Sequence, residues 1–526
     1  MKYNAIILTD ISDHFIPIRV HGAYAIAAHL RAHGYTVKVI DHQSWLWENH
    51  GKELVGLVES MIGPETIFVG FSSTFSRYFG EWPDGCQASL GKPFNKTQGF
   101  EDELIKEECF PHLIELIDRI HLMHPHVKLV LGGRGSQTYK FFQYFEDKID
   151  SWIRGLGEDS ILTFVRNEEQ GIVNPPMVED IYAATFDFHN QQKVFDKGDN
   201  ILQHEVFPMA ISRGCRFKCK FCTFPLLGRL PSEEYIRSED SIYNELKYNY
   251  DNFSTTSYML TDDTFNETTE KIQRVLRAVE RIGVDMNFWA YIRIELLHKF
   301  PEQIELLAQM GLKACFFGVE SLYDPSAKSI GKGLGRDRVL RTIENAKKGW
   351  GVDSSLHGSF IIGLPHETRE SADEWTKLLI EEETALDTIS CNRLGLTADS
   401  IIKSGHTSRV FFSVLDLNKE KYGYKETDDD GGWVNEHWTK EEANIYAKDV
   451  IKRFADRRPY FTWLKSAQNS VACMNLKINN PTLEWKDIHK PFSSQDDVDS
   501  FVDMIEDNKQ FYYETYKKNL FYGEKH

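Results

Sequence analysis

The chain has 526 residues, a formal net charge of −18 and a pI of about 5.6, with 41% of its residues hydrophobic. That length exceeds one compact core and predicts two to four domains, and the acidic balance argues against a general affinity for nucleic acid backbones. No apolar run reaches membrane-spanning length, and the opening MKYNAIILTD turns polar too soon for a signal peptide.

Residues 1 to about 165 alternate apolar runs with helical patterns. The runs are 5–8, 35–41, 66–73, 128–133 and 151–155, and GAYAIAAHLRAHG at 22–34 has helical spacing and a terminal glycine. Near-continuous apolar strands separated by helices read as a Rossmann-like, doubly wound parallel sheet. Such sheets bind ligands outside the carboxyl ends of their strands. The residues at those ends are Thr9 and Asp10, Ser72 and Ser73, Gly132 and Gly133, then Gly155, Gly157 and Glu158. The first loop carries Asp13 and His14 side by side, and the third connection, Ser76 to about Gly99, is long enough to be functional. From 166 to 205 the chain is irregular and reads as a linker.

The chemistry concentrates at ISRGCRFKCKFCTFPLLGRL, which follows the apolar run 206–212. Of eight cysteines, three fall here as C-x3-C-x2-C: Cys215, Cys219 and Cys222. Soft thiolates select zinc, copper(I) or iron–sulfur clusters. A structural zinc site closes with four ligands, for which His204 is the available fourth. A four-iron cluster held by three thiolates keeps one iron open to a substrate. Cysteines that merely pack are the third reading, and Arg216, Lys218 and Lys220 between them speak against it. The remaining cysteines suit a reducing cytoplasm, not a disulfide scaffold. Cys86 and Cys109 are too far apart to support a second cluster, and Cys391 and Cys473 lack close cysteine partners.

Further apolar runs at 257–262, 287–293, 313–320, 355–363 and 387–396 alternate with helical patterns at 238–250, 268–283, 301–311, 335–350 and 369–382. They make a second βα series of six steps, and in barrels built of such steps the strand ends carry the chemistry. Those ends offer Asp262 and Asp263, Arg293, Glu320 with Ser321, and Gly363. An arginine there suits a carboxylate or the substrate, and a glutamate between apolar strands needs a partner. Gly331-Lys332-Gly333 stands in the following segment, where an exposed loop lysine is the bland reading of Lys332 and a signature shared with a known family is the other, and His357 reads as a core histidine. After about Asp399 the pattern becomes polar and then mainly helical. Thr439 and Glu442 form a capping box for a helix to about Arg457, and a second helix spans 494–520. Trp433, Trp438, Tyr460, Phe461 and Trp463 read as core.

The cysteine spacing, with Phe221 before the last cysteine and Ser212-Arg213-Gly214 before the first, resembles the radical S-adenosylmethionine (SAM) enzymes. The resemblance implies that Cys215, Cys219 and Cys222 hold a 4Fe–4S cluster whose open iron chelates SAM. The reduced cluster then cleaves SAM to methionine and a 5′-deoxyadenosyl radical. It also implies SAM contacts for Phe221, Asp262, Asp263, Arg293, Glu320, Ser321 and Gly363. The first domain is similar to the cobalamin-binding domain of one large subfamily. That likeness implies corrin contacts for Thr9, Asp10, Ser72, Ser73, Gly132, Gly133, Gly155, Gly157 and Glu158. No histidine is expected on cobalt, because Asp13 and His14 lack the required spacing.

These expectations give an α/β chain: a Rossmann-like cobalamin-binding-type domain at 1–165, a linker at 166–205, a radical SAM partial (β/α)6 barrel at 206–398 and a mainly helical substrate-covering domain at 399–526. The expected activity is cobalamin-dependent methylation of an unactivated carbon. The alternative is a radical SAM enzyme that rearranges, cyclises or oxidises without methyl transfer, and the different class is a zinc or nucleic-acid module. Expected partners are a small-molecule or peptide substrate and an electron donor such as flavodoxin or ferredoxin, with neither membrane nor nucleic acid expected.

Overall fold

The computed structural model describes residues 1–10, 17–72, 111–133, 147–180, 183–224, 235–381, 384–403, 411–428, 431–458, 470–489 and 492–523. Ser73, the Asp13–His14 pair, the connection 76–99, Cys86, Cys109, Tyr460, Phe461 and Trp463 lie outside them. The chain divides into two compact units.

The first unit comprises Met1–Asp187, Lys193–Leu202 and Tyr512–His526. Its sheet runs β1 (Ala5–Leu8), β2 (Val37–Ile40), β3 (Phe68–Ser72), β4 (Lys128–Gly132), β5 (Ser151–Gly155) and β6 (Met177–Asp180), all parallel in the order β2-β1-β3-β4-β5-β6. Every residue of β1 and β2 is buried, as strands covered on both faces require. Helices His21–Ala32, Gln43–Met61, Pro111–Met123 and Glu158–Glu169 intervene. The strand order reverses between β1 and β3, the position where sheets of this kind take ligands.

The stretch 166–205 is more than a linker. The helix from Glu158 continues to Glu169, and β6 extends the sheet beside β5. The β6 sequence is MVED, polar and only partly buried, so no apolar run marked it. Residues 193–202 are tied down by Asp199. Its carboxylate pairs with Arg31 at 2.6 and 3.0 Å, while Arg19 donates to the Asp199 and Asn200 carbonyls at 3.1 and 3.0 Å. Lys38 donates to Gly198 at 2.7 Å.

The C-terminal residues also complete this unit. His42 lies edge-on to the rings of Tyr512, Tyr513 and Tyr516. The Tyr516 hydroxyl accepts from the Asp41 amide at 2.9 Å. Tyr516→Phe leaves that buried amide without its acceptor, a cost of about 1–3 kcal/mol. Amide exchange measured by mass spectrometry is therefore expected to quicken around Asp41 and to stay unchanged in Glu302–Met310 of the other unit.

The second unit holds Phe188–Gln192 and Gln203–Phe511. Its strands are β7 (Phe207–Met209), β8 (Ser257–Leu260), β9 (Asn287–Ile292), β10 (Leu312–Glu320), β11 (Ser355–Ile362) and β12 (Thr388–Arg393). They pair in chain order, all parallel, with β7 and β12 at the two ends. The helix Thr269–Ile282 shows why these connections are helical. Its Ile272, Val275, Leu276 and Val279 are buried at helical spacing, the Thr268 side chain caps its start, and Gly283 at φ +73° ends it. The capping box expected at Thr439 and Glu442 opens the helix Lys440–Asp456. Trp433 and Trp438 are core, donating their indole N–H groups to the Leu394 and Glu367 carbonyls at 2.9 Å each.

Candidate active site

The cysteine loop leaves β7 and is pinned by a buried polar network. Asp262, at the end of β8, accepts from the Ile211 amide at 3.0 Å, the Ser212 amide at 2.6 Å and the Ser212 hydroxyl at 2.5 Å. The Lys271 ammonium lies 2.7 Å from Asp262 and 2.9 Å from Glu267, with all three side chains at most 1% exposed. Burial pulls this ammonium down, but the two carboxylates hold it above its ordinary pKa. The Tyr235 hydroxyl sits 2.7 Å from the Gly214 carbonyl and 2.8 Å from Glu267.

The rest of the loop is held by main-chain bonds. Lys220 donates to the Ile330 carbonyl at 3.0 Å and accepts from the Leu415 amide at 2.9 Å. The segment after β12 therefore braces the cysteines directly. Cys215 is buried, and its sulfur lies 3.4 Å from the Thr264 hydroxyl. Cys219 and Cys222 are half-buried, as is Phe221. An Arg293 N–H donates to the Cys219 sulfur at 3.3 Å.

Glu320 ends β10 in a left-handed conformation at φ +69°, beside a register shift between Gly318 and Glu320. A non-glycine residue there is strained, and such strain concentrates at functional sites. Gly318 makes room for it: a Cβ at that position would come within 2.6 Å of the Glu320 carboxylate. Lys332 is not the exposed loop lysine expected. It is buried, and its ammonium donates to the Gly318 carbonyl at 2.6 Å. Burial pushes Glu320 from 4.5 up to about 7, with Lys332 opposing and Glu295 adding to the rise. A carboxyl raised in the fold stabilises fully below its unfolded pKa, and that stability is lost as pH rises through the folded one. Glu320→Gln is expected to remove this part of the stability loss between about pH 4.5 and 7, measured by thermal unfolding across that range.

Three sequence expectations change. Both oxygens of Asp262 are occupied by protein donors, and Asp263 lies half-buried beside it. Gly363 does not present bare main-chain groups. Its amide donates to Glu367 at 2.7 Å, its carbonyl accepts from Tyr424 at 2.7 Å, and a Cβ there would strike Trp433 at 2.4 Å. Arg293 serves the cysteine loop. Ser321 is buried and its hydroxyl accepts from the Tyr323 amide at 3.0 Å. His357 is core as expected, bridging Thr388 at 2.9 Å and Ser390 at 3.0 Å, with burial lowering it to about 3.

Lys271, Glu267 and Tyr235 fall within no motif of the sequence. One signal was available: Lys271 falls four and eight residues before Val275 and Val279, on the buried stripe of its helix. A cation on an apolar stripe implies a buried anion.

In the first unit the expected ligand contacts lie at the strand ends. Thr9 and Asp10 follow β1 and are buried, and the Thr9 hydroxyl has no hydrogen-bond partner among the described residues. Asp10 turns to the Ser44 hydroxyl, and burial raises its pKa well above the ordinary value. Ser72 ends β3 half-buried. Gly132 and Gly133 end β4, Gly155 ends β5, and buried Glu158 opens the next helix. Gly133, Gly155 and Gly157 all have positive φ.

These donor sets suit the groups the sequence implies. Among the described residues no three His, Cys, Asp or Glu side chains close on a single ion. A cluster requires no such convergence, because each thiolate goes to a different iron. A guanidinium N–H donates to one of the three sulfurs, and a hydroxyl lies within hydrogen-bond distance of a second. At the end of β1, a buried hydroxyl without a partner suits a polar ligand edge. Among the described residues no helix is long and apolar enough to cross a membrane.

Residues 209–379 match the Radical SAM superfamily. An uncharacterized methyltransferase of Pyrococcus horikoshii is 26% identical over 262 residues, covering 48% of this chain and 52% of that protein. The chain thus spans about half the length of that curated relative. Two solved structures share the fold. The radical SAM methyltransferase TsrM from Kitasatospora setae, with cobalamin and cluster bound, superposes with a TM-score of 0.60 at 13% identity, covering 97% of this chain and 100% of that one. The cobalamin-dependent SAM radical enzyme OxsB, with aqua-cobalamin bound, gives 0.56 at 13% identity, covering 97% and 72%.

Proposed function

We propose that this chain, whose residues 209–379 are a radical SAM domain, is a cobalamin-dependent methyltransferase acting on an unactivated carbon. The observation that carries the reading is the three-thiol loop at one end of a six-strand parallel sheet, in a chain whose other parallel sheet has its switch point beside Thr9, whose buried hydroxyl has no hydrogen-bond partner among the described residues. The likeness to TsrM and OxsB, both solved with cobalamin bound, supports it.

Cys215, Cys219 and Cys222 would hold three irons and leave the fourth for SAM. Asp263, Glu320 and Ser321 would receive the polar groups of SAM, and Phe221 would lie against its adenine. Lys332 and the Gly318 carbonyl fix the floor beneath Glu320. Thr9, Ser72, Ser73, Gly132, Gly133, Gly155, Gly157 and Glu158 would hold the corrin. When bound, the cluster supplies the electron that cleaves SAM, and cobalamin supplies a methyl carrier. The protein provides binding, orientation and exclusion of water. A flavodoxin- or ferredoxin-type electron donor and a reducing cytoplasm belong to this reading.

The test is chromatographic. The protein is reconstituted without oxygen and incubated with SAM and a strong reductant, with and without hydroxocobalamin. The expected products are 5′-deoxyadenosine and S-adenosylhomocysteine, the second only with cobalamin. Deoxyadenosine alone under both conditions would replace methyl transfer with the rearrangement, cyclisation or oxidation reading.

A further inference from the structure

Arg293, at the end of β9, was expected to grip a carboxylate of SAM or substrate. Its environment points elsewhere. One terminal nitrogen donates to the Cys219 sulfur at 3.3 Å, and this sulfur stands for a cluster-bound thiolate. The other donates to the Gly331 carbonyl at 3.0 Å and to Glu295 at 3.2 Å. The guanidinium carbon lies 4.0 Å from the centre of the Phe217 ring, within the cysteine loop itself. The backbone is fixed as well. The Asn266 side chain accepts from the Arg293 amide at 2.8 Å and donates to its carbonyl at 3.1 Å. The Asn266 side chain also donates to Gln303 at 3.1 Å. The Arg293 side chain is 9% exposed, so its charge acts in a medium of low dielectric.

We propose that Arg293 sets the reduction potential of the cluster by donating a charged hydrogen bond to the Cys219 thiolate, and that it does not clamp the SAM carboxylate. This rests on the reading of the cysteine loop as a cluster site. Adding an electron makes the thiolates more negative, and a fixed cation bonded to one of them stabilises the reduced form more than the oxidised form. The potential therefore sits higher than it would without the arginine. Glu295 shares the same guanidinium and partly offsets its charge, so the pair works as a graded control.

The experiment is a redox titration of the anaerobically reconstituted full chain, followed by the electron paramagnetic resonance signal of the reduced cluster. In Arg293→Met the ratio of reduced to oxidised cluster at a fixed potential is expected to fall about tenfold, a shift of about 59 mV to more negative values for a one-electron couple. Arg293→Lys is expected to fall between that and wild type. Glu295→Gln is expected to shift the potential the other way. SAM binding, read from its perturbation of the same signal, is expected to stay within about threefold of wild type in Arg293→Met. An unchanged potential with SAM binding weakened tenfold or more overturns the proposal and restores the carboxylate clamp. If Arg293→Met fails to retain iron, the other two variants decide, and wild-type potentials in both overturn it. Wild-type protein that assembles no cluster would defeat the underlying reading instead, a separate result.

Discussion

Cys219→Ala is expected to abolish deoxyadenosine formation while the first unit stays folded. Two thiolates cannot hold a four-iron cluster whose fourth corner must stay open, so iron content should fall together with SAM cleavage. The change also leaves the Arg293 N–H that now points at the Cys219 sulfur without its acceptor. The residues that tie down the first unit, Asp199, Arg31, Arg19, His42 and Tyr516, all belong to that unit, and position 219 belongs to the other. Its thermal transition should survive. Cys391→Ala is the matched control, because that thiol is buried on β12 and burial raises its pKa, as expected of a core cysteine. It is expected to keep its iron. Iron and sulfide analysis with chromatography of the SAM products checks both variants, and wild-type deoxyadenosine yield from Cys219→Ala would end the cluster assignment.

The sequence read most clearly where one physical constraint acted alone. Strands buried on both faces must be apolar runs, so β1 and β5 appear at the expected residues and β8 to β12 within a few. Capping chemistry is local, so Thr439 and Glu442 were legible without any tertiary knowledge. The Cys215, Cys219 and Cys222 motif was legible because its three thiols share one loop. The losses have the opposite character. The β6 strand is held by its pairing to β5 and not by its own composition. Which of Asp262 and Asp263 faces inward depends on Lys271 and Ser212, distant in sequence. Gly363 looked like a ligand-lining turn until Trp433 and Tyr424, some 60 to 70 residues further on, were found against it. Lys332 looked exposed because nothing nearby in sequence announces the Gly318 carbonyl.

The second large effect is expected from Lys271→Met. This ammonium is fully buried between Asp262 and Glu267, so its removal leaves two carboxylates close together in a dry interior. Breaking a buried ion pair in this way costs about 3–5 kcal/mol. The damage should reach the cysteines, because Asp262 anchors the Ile211 and Ser212 amides that lead into them. Reconstituted Lys271→Met is therefore expected to bind less iron than wild type and to unfold at lower temperature. Lys271→Met combined with Glu267→Gln removes one of the two charges and leaves Asp262 with its amide and hydroxyl donors. The double variant should be more stable than Lys271→Met alone, a non-additivity that contact between the groups demands. Thermal unfolding and iron content measure both effects. Wild-type stability and iron loading in Lys271→Met would mean that the cysteine loop holds its shape without this network.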